Sequence, residues 1–127
     1  MIRILYGSPQ ADDPLVAKLS KEHEVTHHTE WLPFHLDLWY CKDRKIGPKI
    51  IEARYDIIYY DTRLYGENWL PQVRAENFKF GVLRCFERIE VPVRFLVDDE
   101  IYESVENALK NFQRRKEKQQ TPISDRT

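Results

Sequence analysis

The sequence predicts an α/β fold: a small Rossmann-like three-layer sandwich on a mostly parallel sheet of four or five strands. Three observations predict it. Short strand-like runs at 2–6, 24–27, 56–61 and 91–97, all but the second rich in apolar residues, alternate with helical stretches, the pattern of βαβ units with helices on both sheet faces. The run Asp56-Ile57-Ile58-Tyr59-Tyr60-Asp61 is β-branched and aromatic without sustained alternation, as suits a central strand covered on both sides. The chain has 127 residues, the length of one domain at roughly 100–200 residues per domain.

Taken in order, Ile2–Tyr6 is a strand that stops at Gly7-Ser8-Pro9. Asp12 or Asp13 caps a helix with Pro14 at its first position, where a missing N–H costs nothing, and Leu15, Val16 and Leu19 share its inner face. Glu24–His27 is a second strand. Within 29–47, Phe34, Leu36, Leu38 and Tyr40 alternate with His35, Asp37 and Trp39, a period-2 pattern that predicts a half-buried strand. Pro48 then opens a short helix, Lys49–Arg54. After the central strand and a turn-like Leu64–Trp69, Pro71 opens a helix to about Arg88 that directs Phe78, Val82, Cys85, Phe86 and Ile89 to the core. Val91–Val97 is a further strand. Asp98 or Asp99 caps a last helix carrying Ile101, Val105, Ala108, Leu109 and Phe112. One domain thus spans 1–112, and 113–127, without apolar periodicity, reads as a disordered basic and polar tail.

Composition narrows the function. Only four glycines are present, and neither a G-x-x-x-x-G-K-[ST] phosphate loop nor a G-x-G-x-x-G dinucleotide turn can be drawn from Gly7, Gly47, Gly66 and Gly81. Net charge is −1, so no global field draws the chain to nucleic acid or an acidic membrane. The tail holds Arg114, Arg115, Lys116, Lys118 and Arg126 against Glu117 and Asp125, a net +3 that leaves −4 on the first 112 residues. Two cysteines, Cys41 and Cys85, make no disulfide framework, and no stretch reads as a signal peptide or membrane span. The expected setting is the cytoplasm, with free thiols.

Ligands of open α/β sheets bind outside the carboxyl ends of the strands. Those ends carry Ser8 with Asp12 and Asp13, His27 with His28, Asp61 with Arg63, and Asp98 with Asp99. Convergent carboxylates would hold a hard cation such as Mg²⁺, and one would serve as a nucleophile towards phosphoryl groups. Asp12, Asp13, Asp98 and Asp99 read first as helix caps, which Asp favours regardless of function, whereas Asp61 ends a strand and starts no helix in this reading. His23, His27, His28 and His35 lack a metal-ligand spacing on a suitable element. Trp31, Trp39 and Trp69 fall in less regular segments and are the expected contacts for a protein partner.

Residues 56–70, Asp-Ile-Ile-Tyr-Tyr-Asp-Thr-Arg-Leu-Tyr-Gly-Glu-Asn-Trp-Leu, resemble the third strand and following loop of response-regulator receiver domains. Asp12-Asp13-Pro14-Leu15-Val16 resembles their acidic pair and first helix, and Val91–Val97 their fourth strand. The resemblance implies that Asp61 stands at the phosphoacceptor position and that Asp12 and Asp13 hold Mg²⁺. Gly7–Ala11 intervene where the acidic pair should end the first strand, Val97 and Asp98 replace the expected Ser/Thr, and no strand with Lys-Pro follows. A degenerate receiver is implied: a non-enzymatic regulatory or interaction module with a cation or phosphate site at the sheet edge. A second resemblance is to the nucleoside deoxyribosyltransferase fold, through Gly7-Ser8-Pro9 and Phe78-Lys79-Phe80-Gly81. Lys79 stands where that family carries its nucleophilic Glu. This resemblance implies a nucleotide- or nucleoside-binding enzyme or sensor in which Ser8, Asp61 and Glu67 or Glu76 contact a sugar.

Overall fold

The computed structural model describes residues 1–42, 54–68, 81–89, 91–98, 100–111 and 113–114. Its elements are β1 (Arg3–Gly7), α1 (Pro14–Ser20), β2 (Glu24–His28), α2 (Trp31–Lys42), β3 (Ile57–Asp61), α3 (Arg63–Asn68), a 3₁₀ turn (Phe86–Arg88), β4 (Val93–Val97) and β5 (Glu100–Tyr102). Residues 81–85 and 105–111 are also helical. The five strands form one sheet in the order β2-β1-β3-β4-β5, parallel except for the antiparallel β4–β5 pair. The α/β class and the mostly parallel sheet are as the sequence predicts.

Strand alternation assigns the two faces. Ile4, Tyr6, Ile57, Tyr59 and Leu96 form one apolar cluster, covered by Leu15, Val16 and Leu19 of α1. Leu5, Ile58, Tyr60, Phe95 and Val97 point to the opposite face, where Phe34 and Leu38 of α2, Leu64 of α3, Val82, Leu83, Phe86 and Ala108 complete the larger core. Tyr60 stacks on Phe34 and Phe86 with ring centroids 5.4 and 5.0 Å apart, so aromatic packing joins three segments distant in sequence. Gly7 lets these layers approach. A Cβ there would lie 2.5 Å from Phe34 Cδ2 and 2.8 Å from Leu64 Cδ2.

Four local expectations are corrected. The strand expected within 29–47 is the helix α2. Among its described side chains the buried ones are Trp31, Phe34 and Leu38, at i, i+3 and i+7, while Leu32 and Leu36 are 65% and 55% exposed. The same residues satisfy both periods, and packing against the sheet selects the helical one. Trp31 is accordingly core rather than partner surface: it is 7% exposed, lying against Phe34, Tyr60 and Tyr65.

The second correction concerns the end of β4, where a hairpin replaces the expected helix cap. Val97 pairs with Glu100 across a two-residue connection, and Asp98 takes φ 49°, the left-handed region such tight turns use and Asp tolerates. Ile101 is thereby drawn into β5, and the last helix starts later, with the Asn107 N–H donating to Ser104 Oγ at 3.2 Å. Ser104→Ala is expected to cost about 1 kcal/mol, typical of a lost cap, in urea unfolding. Third, Cys85 is exposed, because the 81–88 segment buries Val82, Leu83 and Phe86 instead. Fourth, 64–68, read as turn-like, lies in the helix α3, which starts two residues after Asp61, expected to start no helix. Residues 113 and 114 are also helical, with Arg114 Nη2 donating to Asn111 Oδ1 at 3.1 Å. Residues 49–53 of the expected Lys49–Arg54 helix, Trp69, the start of the helix opened by Pro71, Asp99 and residues 115–127 lie outside the described residues, as does the Trp39 side chain; Arg54 itself is not helical.

Candidate functional site at the carboxyl edge of the sheet

β1 has β2 on one side and β3 on the other, so the chain's path through the sheet reverses between β1 and β3. Crevices form at such switch points because the connections leave the sheet on opposite faces. α1 and α2 do so here, each packing on its own face. The loop from Gly7 to Asp13 and the β3–α3 junction border this edge.

On the α1 face, four polar side chains meet. Asp13 is the N-cap of α1: its Oδ1 accepts from the Leu15 N–H at 2.9 Å. Its Oδ2 accepts from the Tyr6 hydroxyl at 3.1 Å and from Ser8 Oγ at 3.0 Å. Ser8 Oγ also lies 2.9 Å from His27 Nε2. The single Ser8 proton goes to the carboxylate, so Oγ accepts from His27, which assigns the Nε2–H form to that ring. Ser8 and Tyr6 are 0% exposed and Asp13 8%. The Tyr6 ring meets His27 edge-on at 5.5 Å and stacks on Tyr59 at 5.6 Å.

Asp61, at the end of β3, is 3% exposed and clasped by Arg63. The Arg63 N–H donates to Oδ1 at 2.9 Å, and the guanidinium reaches Oδ2 through Nη2 at 2.7 Å and Oδ1 through Nε at 3.1 Å. The Arg63 side chain is 54% exposed, so the buried carboxylate is bridged to solvent by a cation on the rim. Thr62 fastens the junction to β4, its N–H and Oγ1 both donating to the Leu96 carbonyl at 3.1 and 3.0 Å.

The two clusters share an electrostatic neighbourhood at Tyr6. Burial pushes the Tyr6 phenol well above its ordinary range. The Asp13 charge and hydrogen bond, then the Asp61 charge, push the same way, and Arg63 opposes them. Burial and the Asp61 charge likewise raise Tyr60. A phenol with a raised folded pKa contributes stability below the unfolded value, roughly 10, and loses it as pH rises beyond. Stability should therefore fall above about pH 10, by up to about 1.4 kcal/mol per pH unit for each such tyrosine. Tyr6→Phe should make the fall shallower in urea titrations across that range.

Ser8, Asp13 and Asp61 are thus gathered at one edge, as expected from their strand ends. Asp12 is exposed and adds no hydrogen bond to the cluster, and Asp98 serves the β4–β5 turn. Tyr6 is the member that sequence reading missed, although its position two residues after Ile4 already assigns it to the α1 face. Among the described residues, no group of three or more His, Cys, Asp or Glu side chains is arranged to hold a metal ion. Both oxygens of Asp13 and both of Asp61 are occupied by protein donors instead.

No protein-family model, curated protein or solved structure matches the chain. No helix among the described residues is long and apolar enough to cross a membrane.

Other polar features lie away from this edge. On the α2 face, Asp37 accepts from His28 Nε2 at 2.7 Å, Arg54 Nη1 at 2.7 Å and the Tyr55 hydroxyl at 3.1 Å, tying α2 to β2 and to the lead-in of β3. A groove of about 400 Å³ between the 81–88 and 105–114 segments is lined by Arg84, Glu87, Glu106, Leu109, Lys110 and Gln113. Its charged residues include both signs, with Arg84–Glu87 and Lys110–Glu106 paired at 2.9 and 3.3 Å.

Proposed function

We propose that the chain is a small-ligand-binding module of the nucleotide or nucleoside class, with its site at the carboxyl edge between β1 and β3. The observation that carries this reading is that the Ser8–His27–Asp13–Tyr6 cluster and the Asp61–Arg63 pair lie at the ends of neighbouring strands, near enough for the charges of Asp61 and Arg63 both to act on Tyr6. A guanidinium on the rim suits a phosphate, and a carboxylate behind it suits a ribose diol. A phosphate that took Arg63 would release Asp61 to accept from sugar hydroxyls, so the resting ion pair occupies the places of both ligand groups. No bond-breaking step is assigned.

Thermal unfolding in the presence of nucleosides and nucleoside mono- and diphosphates tests the reading. At least one phosphorylated member is expected to raise Tm, since saturation at about 100 Kd stabilises by about 2.7 kcal/mol. Arg63→Ala should remove most of that gain. A flat panel, or a shift that survives in Arg63→Ala, would contradict it.

A receiver-like regulatory module is the second reading, favoured by one observation: Asp61 is a buried carboxylate at the very end of the central strand β3. The guanidinium clasp weighs against it, because an oxygen that accepts from Arg63 is a weak phosphoacceptor. Mg²⁺ with beryllofluoride should raise Tm under this reading, and Asp61→Ala should abolish the rise. The absence of any rise rejects it.

A further inference from the structure

Among the described residues the strand β2 closes one edge of the sheet, and its backbone hydrogen bonds show which of its groups turn away from β1. The Glu24 N–H donates to the Ile2 carbonyl at 3.0 Å, and the His28 carbonyl accepts from the Ser8 N–H at 3.1 Å. Residues 24, 26 and 28 therefore turn their backbone groups towards β1, and by alternation Val25 and His27 turn theirs outward. Those outward groups make no backbone hydrogen bond among the described residues. The edge has neither proline nor lysine, the usual blocks to pairing with another strand.

The β2 sequence, Glu-Val-Thr-His-His, is complementary to itself when reversed about Thr26. An antiparallel register centred there matches the whole of β2 with the whole of a second β2. Val25 then meets His27 of the second copy as a hydrogen-bonded pair, with both N–H and both carbonyl groups exchanged, and the two-fold axis repeats the exchange. Thr26 meets Thr26 on the axis. On the α2 face, Glu24 stands opposite His28 of the second copy, a carboxylate facing an imidazole, twice. Shifting the axis to Glu24 or His28 sets Glu24 against Glu24 or His28 against His28, and leaves part of each strand unpaired. On the α1 face, Val25 of the second copy lies beside His27, the residue that holds Ser8.

We propose that β2 is a self-association edge, and that two copies of this chain join across it into one continuous ten-stranded sheet. Each copy thereby places an apolar wall, Val25, next to the other's Ser8–His27 pair. The proposal is independent of the ligand class: it requires only the backbone parity and the β2 sequence.

Sedimentation equilibrium of the full chain at about 100 µM should give twice the 15.3 kDa chain mass, as for a dimer held in the micromolar range. A monomer at that concentration overturns the proposal. Val25→Pro removes an outward N–H while leaving the β1 ladder its donors. It should raise the dissociation constant at least about tenfold with the far-UV spectrum unchanged, and a folded Val25→Pro dimer of undiminished affinity overturns the proposal. If Val25→Pro does not fold, Thr26→Cys decides. Its sulfurs meet on the axis and should give a disulfide-linked dimer under mild oxidation, well above the wild-type background from Cys41 and Cys85. No increase over that background overturns the proposal.

Discussion

Asp13→Ala is expected to destabilise the chain by about 3 kcal/mol or more, measured as a fall in the urea midpoint with the slope unchanged. The size follows from three tasks placed on one carboxylate. Its Oδ1 caps α1, and a lost cap costs about 1 kcal/mol. Its Oδ2 receives the Tyr6 and Ser8 hydroxyls, both of buried residues: the Tyr6 donor left without its partner costs about 1–3 kcal/mol, and Ser8 falls back on the Gln10 carbonyl at 3.5 Å, a poorer bond. Asp13→Asn separates these tasks. The amide keeps one oxygen, which suffices for the cap or for the hydroxyls but not for both. An intermediate loss of about 1–2 kcal/mol is expected. Equal losses for Ala and Asn would mean that the charge, not the hydrogen bonds, holds the cluster.

Gly7→Val is expected to cost about 3 kcal/mol or more, or to prevent folding, because overpacking a filled core typically costs about 1–3 kcal/mol and branching at Cβ adds to it. The cause is close approach rather than backbone conformation, since no glycine among the described residues has positive φ. Phe34 and Leu64 would lie within 2.8 Å of the new Cβ, and both are fully buried and cannot turn outward. Phe34 is further confined by its stack on Tyr60. Gly7→Ala should be milder by roughly the two methyl groups it lacks, and Gly7→Ala with Leu64→Ala should recover part of the loss. A Gly7→Val protein of wild-type stability would show that α2 does not press on β1 as described.

The sheet was the legible part of this chain. Ile4, Tyr6, Ile57 to Tyr60 and Phe95 to Val97 are β-branched, aromatic or apolar runs whose only good burial is in a covered sheet, and the glycine and proline punctuation bounds them. α2 was not legible, because Phe34, Leu36 and Leu38 fit a strand while Trp31, Phe34 and Leu38 fit a helix. Only the face offered by Tyr60 and Tyr65 decides between them. The β4–β5 hairpin was hidden for a related reason. Asp-Asp before an apolar-periodic stretch is a cap signal, yet Asp also accepts the left-handed turn conformation, and pairing Leu96 with Ile101 selects the hairpin.

Site legibility divides the same way. Strand ends and the switch-point rule locate Ser8, Asp13 and Asp61, because those positions follow from the chain's course. The roles do not follow. Asp13 and Asp61 look alike in sequence, and each accepts from a backbone N–H at the start of a helix, but one is otherwise consumed by two hydroxyls and the other by a guanidinium on the rim. Those partners depend on where the loop after Gly7 and the turn after Asp61 direct their side chains, which no local period records.

Nucleotide binding at the β1–β3 carboxyl edge, as proposed, is open to amide chemical-shift mapping. Titrating the labelled chain with the nucleotide that gives the largest thermal shift should move the amides of Gly7, Ser8, Thr62 and Arg63 first and furthest. Leu32, Leu36 and Lys110 should stay in place. Shifts centred on the groove between Arg84 and Lys110, or spread without a focus at the strand ends, would contradict the account.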